Sequence, residues 1–127
     1  MTNPTEERRK KRSEDPLVAL HYQLTVARSE GSIDTIVLAD TAGMVVAGAG
    51  SWAACEEIAA YAPLLSQPGD EGSGSRIDAL RSEIEVHSLH VSGQDVLLCS
   101  RRQRASTTHE AAIARAAQGI TRILAAA

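Results

Sequence analysis

Four histidines and two cysteines are the side chains of this 127-residue chain best suited to hold a metal. His21, His87, His90, His109, Cys55 and Cys99 are scattered, and no C-x-x-C or H-x-x-x-H spacing gathers them. On a strand, His87 and His90 point to opposite faces. They read as ordinary surface or half-buried histidines, and neither a metal nor another cofactor is expected. The two cysteines lie in apolar contexts and read as buried thiols, not as a disulfide. Ser51, Ser92 and Ser106 lack a G-x-S-x-G elbow. Gly43, Gly48 and Gly50 match neither a phosphate loop nor a dinucleotide fingerprint, so turn and strand-exit geometry explains them. With no nucleophile–base pair in view, there are no candidate catalytic residues and the chain reads as non-enzymatic.

What remains is a basic group, Arg101, Arg102 and Arg104, at the end of the last strand. The bland reading is a solvated strand end. The functional one is contact with a partner's acidic face, for which the planar guanidinium fork is suited.

The elements that must position these residues centre on positions 34–65. Ile33 to Ala39 is β-branched and apolar, with Val37 and Ala39 on one face and Ile36 and Leu38 on the other. Asp40-Thr41-Ala42-Gly43 spells a turn, and residues 44–47 return as a second strand. Asp34 and Asp40 flank the first strand and read as turn caps. Ser51 then caps a helix that is apolar on nearly every side. One stripe is Trp52, Cys55, Ala59 and Ala62; another is Ala54, Ile58, Tyr61 and Leu65. Only Glu56 and Glu57 are charged, and Pro63 is expected to end or kink the helix near Ala62. Such a helix has more apolar surface than one sheet face can bury, which calls for a second chain.

Upstream, Asp15 and Pro16 signal a helix start, Leu17, Leu20 and Leu24 recur at helical spacing, and Gly31 suits a left-handed terminator near Arg28. Downstream, residues 66–75 read as a surface loop, and residues 76–82 as a short strand or a helical turn. Residues 84–91 and 96–102 read as a hairpin turning at Gly93-Gln94. Val91 is then opposite Val96 and Leu89 opposite Leu98, with Ile84, Val86, Leu97 and Cys99 on the other face. Thr107 to Glu110 matches a capping box, opening a helix with Ile113, Ala117, Ile120 and Leu124 as its buried stripe.

Length fits one domain, residues 15–127, behind a basic leader at 1–14 that lacks apolar periodicity and is expected to be disordered. Five consecutive basic residues run from Arg8 to Arg12, a tether for an acidic partner or an anionic surface if it is functional. The overall charge is −3, and beyond residue 15 there are 8 basic and 12 acidic side chains. That body is a poor match for nucleic acid. Three aromatics and no Phe further weaken base stacking. No run approaches the roughly 18 apolar residues of a membrane span, and a cytoplasmic location is expected.

The run I-V-L-A-D-T-A-G-M-V-V-A-G-A-G followed by S-W-A-A-C-E-E-I-A-A-Y-A-P-L-L resembles the roadblock/LC7 family over roughly residues 15–125. The expected fold is α/β (α+β): a central antiparallel sheet of four to five strands with helices packed on it, in the order α-β-β-α-β-β-(β)-α. The resemblance implies dimers joined through the second helix and the strand after it, and a scaffolding or regulatory role, often toward small Ras-like GTPases. A homodimer interface is therefore expected at Trp52, Cys55, Ile58, Ala59, Ala62, Leu65, Ile84 and Val86. Arg101, Arg102 and Arg104 then become candidate contacts to a GTPase or its nucleotide phosphate. The competing reading is a PAS- or GAF-like sensory domain with a small ligand, which would require an internal cavity.

Overall fold

Asp15 opens the first helix by accepting a 3.3 Å hydrogen bond from the Val18 N–H, with Pro16 in the first turn, where its missing N–H leaves no broken bond. In the computed structural model, which describes residues 15–67, 75–103 and 107–127, this helix α1 spans Pro16–Glu30. The order that follows is β1 (Ile33–Asp40), β2 (Val45–Ala49), α2 (Trp52–Leu65), α3 (Ser75–Glu83), β3 (Ile84–Val91), β4 (Gln94–Arg102) and α4 (His109–Ala126). The four strands form one antiparallel sheet in the order β2-β1-β4-β3.

Alternation along β1 feeds two separate cores. Ile36 and Leu38 join Leu20 and Leu24 of α1, Val96 and Leu98 of β4, and Ile113 and Ile120 of α4. Val37 and Ala39 join Leu97 and Cys99, the inner side of α2, and Leu80 of α3. The sheet is thus the middle of three layers, with α1 and α4 on one face and α2 and α3 on the other. The Asp40 turn forms as its residues dictate. The Asp40 carboxylate accepts from the N–H groups of Ala42 and Met44, both at 2.9 Å, and Gly43 takes a φ of 85°.

Five local points are decided by the structure, one between open alternatives and four against expectation. Residues 76–82 are helical and supply no fifth strand: Ile77, Leu80 and Ile84 recur at helical spacing, and Leu80 is fully buried. Pro63 does not end α2. It only removes one N–H near the last turn, and the helix continues to Leu65 with the Ser66 N–H bonded to the Ala62 carbonyl at 2.9 Å. The β3–β4 turn is Ser92-Gly93, both at positive φ, so Leu89 faces Val96 and Val91 faces Gln94. This register differs by two residues from the expected one, which preserves which face each side chain occupies. The capping box at Thr107 does not form. Helix α4 starts at His109 behind Thr108, whose hydroxyl donates to the Glu30 carbonyl at 2.8 Å and so ties α4 to the end of α1.

Gly31 is the fifth. Its φ is −95°, and the left-handed residue is Ser32, at 52°. Glycine is required at position 31 by space: an added Cβ would stand 2.8 Å from the Ala112 Cβ and 2.9 Å from the Ile33 Cδ1. Gly31→Ala is therefore expected to force α4 away from α1 and lower unfolding free energy by about 1–3 kcal/mol, read from urea denaturation. A melt unchanged from the parent would show that the junction is looser than these distances.

Candidate protein–protein interface

Helix α2 is anchored at both ends. The Ser51 hydroxyl accepts from the Ala54 N–H at its start. At its end, Arg81 of α3 donates to the carbonyls of Leu64 and Gln67, at 3.3 and 3.1 Å. An Arg76–Glu57 ion pair adds a second link between α3 and α2. These contacts tether α2 to α3, and the face that α2 buries on the sheet departs from the sequence expectation.

Cys55, Ile58, Ala59 and Ala62 are completely buried against the chain's own sheet, so they are core and not surface for another copy. Ile84 is buried as well, and Val86 and Leu65 are half-buried. Both apolar stripes legible in the sequence turn inward, with Trp52 the exception at 56% exposure. The outward stripe is Ala53, Ala60 and Leu64, the last 46% exposed, with Glu56 between them. Sequence reasoning passed over these three, although their spacing of seven and four is itself helical. Among the described residues the sheet ends in two open edges, β2 and β3, each paired on one side only, and α2 lies chiefly over β1 and β2.

The arginines at the far end of β4 have intrachain partners. Arg101 donates to Asp34 through two nitrogens, at 3.0 and 2.5 Å, and Arg102 donates to Glu85 at 2.6 Å. Arg104 lies outside the described residues. The Arg101 bond, helped by the Thr35 hydroxyl at 2.8 Å, holds the Asp34 carboxyl below its usual range. Burial pushes Glu85 upward, but the hydrogen bond to His109 and the charge of Arg102 outweigh it, so this carboxyl is also lowered. His109 is fully buried, with Nε2 3.2 Å from Glu85, which pins the start of α4 to β3.

The remaining histidines are dispersed: His21 Nδ1 lies 3.1 Å from the Gly48 carbonyl, His90 pairs with Asp95 at 2.6 Å, and His87 stands 3.8 Å from Glu85. Burial raises the Cys55 thiol and pushes that of Cys99 up to about 12, so both are protonated thiols at neutral pH. Both cysteines are free. Ser51 caps α2, Ser92 shapes a turn, and Ser106 lies outside the described residues. Among the described residues, no helix is long and apolar enough to cross a membrane.

By sequence, no family model and no curated protein matches the chain. By structure, MglB from Myxococcus xanthus superposes with a TM-score of 0.53 at 14% identity, over 84% of this chain and 88% of that one. The gliding protein MglB from Thermus thermophilus gives 0.57 at 17% identity, covering 88% and 93%. An MglB with a tetrameric arrangement gives 0.54 at 16%, covering 86% and 90%. The chain has the roadblock/LC7 fold. Helix α2 carries the outward apolar stripe, and β2 and β3 are the two sheet edges among the described residues.

The two lowered carboxyl groups give the domain a predictable acid limb. In an unfolded chain they titrate near pH 4, so their contribution is complete above about pH 5 and is lost as pH falls through the lowered folded-state values. Asp34→Asn should remove its share and flatten that limb in urea melts taken across acidic pH. An acid limb identical to the parent's would mean that the Arg101–Asp34 pair adds nothing.

Proposed function

We propose that this chain is a non-enzymatic, dimeric regulatory or scaffold domain that docks a small Ras-like GTPase in the cytoplasm. Residues 15–127 supply the domain, and residues 1–14 a basic leader. The observation that carries the reading is the roadblock/LC7 fold with an outward apolar stripe on α2 and an open sheet edge at β3. A second copy related by a two-fold axis would cover the stripe with its own and extend the sheet across β3. Trp52, Ala53, Ala60 and Leu64 form the helical part of that interface, with Leu65 and Val86 at its margin. The body's acidic balance argues against nucleic acid as the partner. A PAS- or GAF-like pocket would need enclosed space between sheet and helices, whereas apolar clusters pack on both faces of β1 and β4 and the groove between β3 and α4 opens to solvent.

Sedimentation is expected to show a dimer at micromolar concentration. Leu64→Glu or Ala60→Glu should yield a folded monomer. Ala59→Glu should instead unfold the domain, because it buries an unpaired charge against the sheet at a cost of several kcal/mol. A monomeric parent would remove the dimer from this reading.

The GTPase arm is tested with purified small Ras-like GTPases from the same organism, each loaded with GTP or GDP. Nucleotide-dependent binding supports the proposal, and absence of binding in both states sinks it. If hydrolysis is stimulated, the mechanism is positioning of the GTPase's own groups, since Arg101 and Arg102 are held by Asp34 and Glu85. Arg102→Ala is then expected to reduce stimulation by less than about tenfold, against the roughly 10³–10⁵ associated with an arginine finger.

A further inference from the structure

The two edges of the sheet are defended differently. Strand β3 carries Glu85, His87 and His90, whereas β2 reads V-V-A-G-A, with no charge and no proline. Charged side chains on an edge discourage strand addition, so β2 is by composition the more inviting template. It is short, and a register shift beside Leu38 and Ala39 disturbs its first residues. From Ala47 to Ala49 its pairing with β1 is regular.

In that regular stretch a side chain of α1 stands where a further strand would lie. His21 Nδ1 is 3.3 Å from the Gly48 nitrogen and 3.1 Å from the Gly48 oxygen. Within an antiparallel strand, the N–H and C=O of one residue point to the same side. Gly48 sits opposite Val37 of β1, yet both its polar groups meet a helix residue, so both point away from β1. These are the groups that an added strand would have to pair. A lone pair on Nδ1 accepts from the Gly48 N–H, and an Nδ1–H donates to the Gly48 carbonyl. The imidazole therefore caps the edge in either tautomer. His21 is exposed and takes no part in either apolar core, so this contact is its one visible task.

We infer that His21 closes the β2 edge against strand addition by a second copy of this chain, and so limits self-assembly. Two β2 strands meeting about a two-fold axis would oppose no like charges, so nothing in their side chains would keep them apart. With β2 and β3 both available, each copy could pair at two edges, and the contacts would repeat without closing into an open ribbon. With β2 capped at Gly48, only β3 remains, and assembly stops at a pair. That limit rests on the β3 dimer proposed above, whereas the cap on Gly48 does not.

The test compares the full chain with its His21→Ala and His21→Asn variants by sedimentation velocity over a concentration series. The alanine variant is expected to form species larger than the parent's, with added intermolecular strand signal in the amide I infrared band. Asparagine places an amide oxygen or nitrogen where Nδ1 stood, and should keep the parent's size. At concentrations too low for assembly, the Gly48 amide hydrogen of the alanine variant should exchange about fivefold faster, as expected for one lost hydrogen bond. Three results overturn the inference: an alanine variant of parental size at every concentration, larger species without added strand signal, or an asparagine variant that assembles as the alanine one does. A monomeric parent would remove the β3 dimer, yet the alanine variant should then still associate through β2, so the two readings fail separately.

Discussion

Strand β1 cannot be wet on either face, and most of the molecule follows from that constraint. Ile36, Val37, Leu38 and Ala39 are all fully buried, and each fully buried large aliphatic side chain favours folding by about 1.5–3 kcal/mol. Two neighbouring strands pair its backbone, and two helical layers cover its side chains. Because α1 and α4 cover one face and α2 and α3 the other, the outward surfaces of the two layers are independent. A partner meeting α2 does not compete with whatever meets α1.

Features encoded within a few residues were legible in the sequence. The Asp15–Pro16 helix start, the two-sided alternation of β1 and the Asp40–Gly43 turn each depend on neighbours in sequence, and each forms as read. The third side of α2 was not legible. A helix rich in alanine offers several equally apolar stripes, and the orientation is settled by which stripe the sheet and Leu80 of α3 bury, with Arg81 and Arg76 of α3 as outer tethers. The arginine end shows the same limit. Arg101 reads as an available fork until the fold brings it to Asp34, 67 positions earlier in the chain.

The other departures share one physical cause: a local preference yielding to packing. Ser92 accepts a left-handed conformation that glycine would adopt more easily, which moves the hairpin turn by one residue and the register by two. Thr108 gives its hydroxyl to Glu30 and so joins two helices. Pro63 is tolerated because it falls near the end of α2, where few hydrogen bonds remain to be lost. In each case the fold survives because the residue affects a terminus and not the middle of an element.

The outward position of Trp52 has a practical consequence. It is the only tryptophan in the chain, and it lies on the α2 stripe. Its indole therefore reports on a single surface without a label. Emission from a half-wet ring moves to shorter wavelength when water leaves that face, whether a second copy or another protein displaces it.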